Sequence, residues 1–130
     1  MNHSSENQIA QIVVDAAFHI HKELGPGLLE SVYEVVLARD LEKRGLTVVR
    51  QKPVPIIYDG VKFDEGFRAD IVVQDKVLIE LKSIEEIAQV HKKQLLTYLR
   101  LMDKRLGLLI NFGTSMIKNG IFRVVNGLED

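Results

Sequence analysis

The 130-residue sequence contains no cysteine. That absence excludes a disulfide scaffold, a thiolate zinc site, an iron-sulfur cluster and a cysteine nucleophile, and it fits a reducing compartment. An excess of one charge is also missing, since 17 Lys and Arg stand against 18 Asp and Glu for a formal net charge of -1. The chain is therefore no polycation that coats nucleic acid through bulk charge, and any such contact has to be a local patch. No apolar run approaches the roughly 18 residues that span a bilayer. The opening Met1-Asn2-His3-Ser4-Ser5-Glu6 carries neither a basic leader nor an apolar stretch. The expectation is a soluble, cytoplasmic protein without membrane contact. Aromatic residues make up 6%, which leaves few rings for stacking bases, and neither a zinc finger nor an obvious recognition helix is legible.

What is present is an ordinary globular mixture, 46% hydrophobic and 27% charged. At this length a folded chain buries roughly two thirds of the surface that its unfolded form exposes. Without repeats, low-complexity stretches or a linker, residues 1–130 are expected to form one domain. Ser5 with Gln8 forms a capping-box pattern, and Ile9, Ile12, Val13, Ala16, Ala17, Ile20 and Leu24 recur at helical spacing until Gly25-Pro26-Gly27. A second helical pattern, Leu29, Val32, Tyr33, Val36, Leu37 and Leu41, ends at Gly45, a residue type suited to a left-handed C-cap. From Leu46 to about Lys82 the composition favours strands, punctuated at Pro53, Pro55, Asp59-Gly60 and Gln74-Asp75-Lys76, and three antiparallel strands are expected. Ile87, Val90, Leu95, Tyr98, Leu99 and Met102 restore helical spacing. Leu106 to Phe112 is apolar on both faces, as in a doubly covered strand, and Ile121 to Val125 adds a last one. The expected architecture is α/β, with a mixed sheet of about five strands in the order ααβββαββ and a parallel crossover through the third helix.

Candidate chemistry concentrates in Val77-Leu78-Ile79-Glu80-Leu81-Lys82. Side chains alternate across a strand, so Glu80 and Lys82 share one face. A three-residue loop at Gln74-Asp75-Lys76 pairs Val73 with Val77 and hence Asp70 with Glu80. Like charges opposed across a ladder repel, an arrangement that makes sense chiefly with a cation between them and Lys82 nearby. Oxygen ligands without Cys or His point to magnesium or manganese rather than zinc.

Asp70 followed by Glu80-Leu81-Lys82, in a hairpin leading to a helix and a parallel strand, resembles the PD-(D/E)xK nuclease superfamily. Gly27-Leu28-Leu29-Glu30-Ser31-Val32-Tyr33 is similar to the GxxExxY signature of one of its small branches. The likeness runs from the first helix to the last strand; Ala69 stands where the motif name has Pro. The resemblance implies a restriction-endonuclease-like three-layer core and a metal-dependent nuclease acting on the phosphodiester bonds of nucleic acid, DNA by preference. It implies that Asp70 and Glu80 ligate Mg2+, with Mn2+ as a substitute, that the Leu81 carbonyl helps, and that Lys82 orients or activates water. Glu30 would complete the acidic set, and Gln94 occupies the place of a polar helix residue facing the site.

Each residue also has a plainer reading. Glu30 can be a first-turn acid that complements the helix dipole. Asp70, Glu80 and Lys82 can form an ion pair on a solvated sheet face. Gln94, between Val90 and Tyr98 on an apolar stripe, can serve a polar site or bond within the core. Tyr33 reads as core packing with a satisfied hydroxyl. His19 and His21, two apart on a helix, face different directions and do not share a metal. His91, Lys92 and Lys93, with Arg100, Lys104 and Arg105 downstream, are either a solvated helix face or a phosphate-contacting rim. A nuclease fold kept as a binding module without turnover is the alternative to catalysis. With so little surface for sequence readout, specificity is expected from a partner or from dimerisation, a homodimer being one form.

Overall fold

The computed structural model describes residues 4–128; residues 1–3, the first half of the Met1-to-Glu6 opening, and residues 129–130 lie outside it. The elements follow the order α1 (Glu6–Leu24), α2 (Glu30–Lys43), β1 (Val48–Tyr58), β2 (Val61–Val73), β3 (Val77–Lys82), α3 (Gln89–Met102), β4 (Leu106–Asn111), a short 3-10 turn (Ile117–Gly120) and β5 (Ile121–Val125). The expected order ααβββαββ is the observed one, with the 3-10 turn added. Among the described residues no helix is long and apolar enough to cross a membrane.

Local chemistry fixes the helix ends. The Ser5 hydroxyl accepts from the Gln8 amide at 3.2 Å while the Gln8 side chain accepts from the Ser5 amide at 2.8 Å, so two donors that α1 would leave orphaned are satisfied. At the end of α2 the Gly45 amide donates to the Glu42 carbonyl and the Leu46 amide to the Leu41 carbonyl. That closure needs a left-handed residue between them, and Gly45 supplies it at φ 93°. Tyr33 ties down the loop that joins the helices. Its ring is fully buried and stacked on Phe112, its hydroxyl donates to the Gly25 carbonyl at 2.6 Å, and the same oxygen accepts from the Leu28 amide at 3.2 Å.

The five strands form one mixed sheet in the order β1-β2-β3-β4-β5, parallel only between β3 and β4. Every residue of β4 is buried, because helices cover both faces of the sheet. Ile71, Ile79, Leu81, Leu108 and Ile110 pack toward α1 and α2, whereas Val72, Leu78 and Leu109 meet Leu95 and Leu99 of α3. Odd and even positions of the same strands thus feed two separate cores, the consequence of side-chain alternation in a three-layer arrangement.

Pro53 and Pro55 do not punctuate the strands as expected; β1 runs through both of them. It lies at the edge of the sheet and pairs only with β2, so a missing amide is tolerated on its outer side. The register shifts between Val54 and Ile56, and the arm ends in Asp59-Gly60, both left-handed, as a tight hairpin requires. Between β2 and β3, Val73 pairs with Val77 across a three-residue loop, and this spacing sets which side chains of the two strands meet.

Tyr33→Phe removes a hydroxyl that serves two backbone groups of the α1–α2 loop. It should lower stability by about 1 to 3 kcal/mol, the range for leaving a buried polar group unpaired. A denaturant titration checks this, and a Phe variant as stable as the wild type would mean that the two bonds contribute nothing net.

Candidate active site

The ladder between β2 and β3 runs through Val73, Val72 and Ile71, opposite Val77, Leu78 and Ile79. One step further the register brings Asp70 to Glu80, and there the side chains take over from the main chain. The Asp70 amide donates to Glu80 Oε2 at 2.9 Å, and the Leu81 amide donates to Asp70 Oδ2 at 2.9 Å. Each carboxylate spends one oxygen on the neighbouring strand, which leaves Asp70 Oδ1 and Glu80 Oε1 outside the crossed pair of bonds. Both residues are half-buried, and Glu80 follows Leu78 on the α3 side of the sheet.

This geometry raises the proton affinity of both acids. Burial, followed by the adjacent Asp70 charge, pushes the Glu80 carboxyl up from the ordinary 4.5 to about 8, against the opposing pull of the Asp70 amide and Lys82. Burial also raises Asp70; the Leu81 amide opposes it, Glu34 and Glu30 add to it, and Lys82 lowers it. Lys82 is half-buried and forms no ion pair among the described residues. It is the cation whose field reaches both carboxylates.

Around this pair the fold arranges further polar groups. Glu30 is exposed in the first turn of α2, where it lines a shallow depression with Leu28, Leu29 and Ser83. Ser83, next after Lys82, donates to the Leu28 carbonyl at 2.7 Å and so ties the end of β3 to the Gly27-to-Tyr33 segment. Gln94 is exposed on α3 and hydrogen-bonds Tyr98. The Tyr98 phenol is raised by burial and then by the Glu80 charge, which locates it beside the acids, and its ring stacks on Phe67. Gln94 therefore meets the site through Tyr98. Leu81 is buried and contributes its amide to Asp70. His19 is exposed while His21 is buried with Nε2 2.8 Å from the Thr114 carbonyl, so they sit in different environments. The groove between α1 and α2, lined by His19, Leu24, Val36 and Lys43, includes none of the acids that surround Asp70.

Sequence reasoning missed Glu34 and Tyr98. Glu34 is buried; its Oε2 meets Arg50 Nε and Nη2 at 2.9 and 2.8 Å, and its Oε1 accepts from Gln51 at 2.6 Å. Its charge is spent on these partners yet still raises both Asp70 and Glu80. The available signal was an acid four residues after Glu30, hence on the same helix face, beside the buried Tyr33 and Leu37. For Tyr98 the signal was its spacing of four from Gln94. Asn111 is a third such residue: fully buried, it accepts from the Ile84 and Gly113 amides at 3.1 and 3.0 Å and donates to the Ile84 carbonyl at 2.9 Å. This clamp holds the chain that leaves β3 after Lys82. A Cβ at position 113 would collide with the Ile84 backbone, so only glycine permits the approach.

Among the described residues no three His, Asp or Glu side chains form a group that could hold a metal ion. Asp70 and Glu80 act on each other electrostatically, and the charge of Glu30 reaches Asp70. The donor set nevertheless fits a hard divalent cation, because two desolvated carboxylates repel each other and each keeps an oxygen outside the crossed bonds.

The sequence matches the family model of the PD-(D/E)XK nuclease superfamily over residues 7–124. The chain belongs to that superfamily, whose members are usually nucleases and generally use divalent metal ions, and its three-layer mixed sheet is the restriction-endonuclease-like fold. No curated protein and no solved structure matches it.

With the Glu80 carboxyl at about 8 in the folded chain and near 4.5 in the unfolded one, the folded chain binds the extra proton between those values. The associated stability is fully present below about pH 4.5 and is lost as pH rises through 8. In chelator, wild-type Tm should therefore fall across that window beyond the trend of other groups. Glu80→Gln keeps an acceptor for the Asp70 amide and should flatten the curve; parallel curves for the two proteins would contradict the assignment.

Proposed function

We propose that residues 1–130 form a single nuclease domain of the GxxExxY type, which hydrolyses phosphodiester bonds of DNA with Mg2+ as its cofactor and Mn2+ as a substitute. The observation that carries this reading is the crossed Asp70–Glu80 pair with Lys82 on the same face, in a chain of the nuclease superfamily. Asp70 and Glu80 would hold the cation, aided by the Leu81 carbonyl, with Glu30 on the outer side. When bound, the ion supplies charge neutralisation for the phosphate and a lowered pKa for water.

The remaining work falls to the chain's own side chains. The bonds from the Asp70 and Leu81 amides fix the rotamers of both acids, so the oxygens presented to the ligand are held in place before it arrives. Lys82 Nζ, unpaired with any described acid, is available to orient the attacking water and to oppose the charge that develops on a phosphate oxygen. Gln94 and Tyr98 border the pair on the α3 side and would position the substrate rather than the ion.

A second reading has one observation in its favour, the absence of a three-acid group among the described residues. On that reading the fold is a binding module without turnover. Labelled single-stranded, duplex and branched DNA, together with RNA, incubated with Mg2+, Mn2+ or chelator, separates the two. The nuclease reading expects metal-dependent cleavage by the wild type, a loss of at least about a hundredfold in Asp70→Ala, and a smaller loss in Lys82→Ala that leaves metal binding intact. No cleavage of any substrate would establish the binding-module reading.

A further inference from the structure

The chain is close to neutral, but its charge is not evenly spread. Between Gln89 and Met102 the third helix carries Lys92, Lys93 and Arg100 and no acid, so everything outside it has a formal charge of -4. The cations just beyond the helix are engaged: Lys104 bonds Asp75 at 3.0 Å, and Arg105 bonds Asp103 at 2.7 Å. Lys92 lies 4.2 Å from the centre of the Phe122 ring. Lys93 and Arg100, by contrast, are both exposed and make no ion pair among the described residues. Seven residues apart, they lie on one helix face and are separated by roughly 10 Å of helix axis. Glu85 and Glu86 precede the helix at its far end from Arg100.

Gln94 and Thr97 are exposed between the two cations, and Gln94 connects inward to Tyr98 beside Glu80. A polyanion lying along this face meets Gln94, whose partner Tyr98 borders the carboxylate pair. The spacing of the cations corresponds to about three base-pair rises of a duplex strand. An acid-free helix face with two unpaired cations in an otherwise acidic molecule is complementary to a phosphate backbone.

We propose that the outer face of α3, through Lys93 and Arg100, is the surface on which a nucleic-acid backbone docks and is led toward Asp70 and Glu80. The last step of this inference rests on the nuclease reading; the docking itself does not.

Fluorescence anisotropy with a labelled 20-base-pair DNA duplex, in chelator so that no cleavage intervenes, tests it on the full chain. The variant Lys93→Ala/Arg100→Ala should bind about tenfold more weakly than wild type, and its slope of log affinity against log salt should be shallower by roughly 2. Lys22→Ala/Lys43→Ala removes two exposed cations from the opposite helical layer at the same cost in net charge and should change affinity less than twofold. Equal losses in the two double variants, unchanged affinity in the first, or a wild type that binds phosphatidylserine vesicles but no DNA would each overturn the proposal. If the difference between the double variants holds while no metal supports cleavage, the docking surface stands and the nuclease reading falls.

Discussion

Two carboxylates, Asp70 and Glu80, meet across β2 and β3 at the point where the main-chain ladder gives way, and each accepts the amide proton of the other strand. Their mutual repulsion and desolvation oppose folding, while those two amide bonds and the field of Lys82 oppose the repulsion. Several neighbouring features hold the two strands in this arrangement. The loop from Val73 to Val77 fixes the register, the two apolar cores clamp β3 from both faces, and Asn111 anchors the chain that follows Lys82.

The segment from Gly27 to Tyr33 is held by the same geometry. Tyr33 is a structural residue whose hydroxyl closes the loop from Gly25 to Leu28, and Glu30 starts the helix that this loop delivers. One turn further, Glu34 is buried against Arg50 and Gln51 and couples α2 to the edge strand. The helix thus brings one exposed and one ion-paired acid toward the pair, and both raise the proton affinity of Asp70.

Much of the fold was legible because it rests on local periodicity: the capping box at Ser5, the two helical stripes, and the doubly apolar β4 follow from spacing alone. The face shared by Glu80 and Lys82 followed from strand alternation, and the meeting of Asp70 with Glu80 from counting the residues between Val73 and Val77. What stayed hidden depends on distant partners. That Pro53 and Pro55 can sit inside a strand depends on β1 being an edge, a property of the whole sheet. Glu34 finds Arg50 and Gln51 only once α2 packs beside β1, and Tyr98 comes near Glu80 only through the crossover. The crossed carboxylate-to-amide bonds carry no sequence signature, since pattern places side chains on faces and does not say which will replace the ladder.

If the Asp70–Glu80 pair holds a cation, thermal unfolding of wild type and Asp70→Ala, each with 10 mM Mg2+ and with chelator, reads it directly. An ion that binds the folded pair and not the unfolded chain stabilises by RT ln(1 + [L]/Kd), about 1.4 kcal/mol for a millimolar site, or a few degrees in Tm. Wild type should show that shift and Asp70→Ala should lose it, each protein being compared with itself in chelator because the variant also leaves the Leu81 amide without its acceptor. Equal magnesium shifts in the two proteins would place the ion elsewhere and contradict the account.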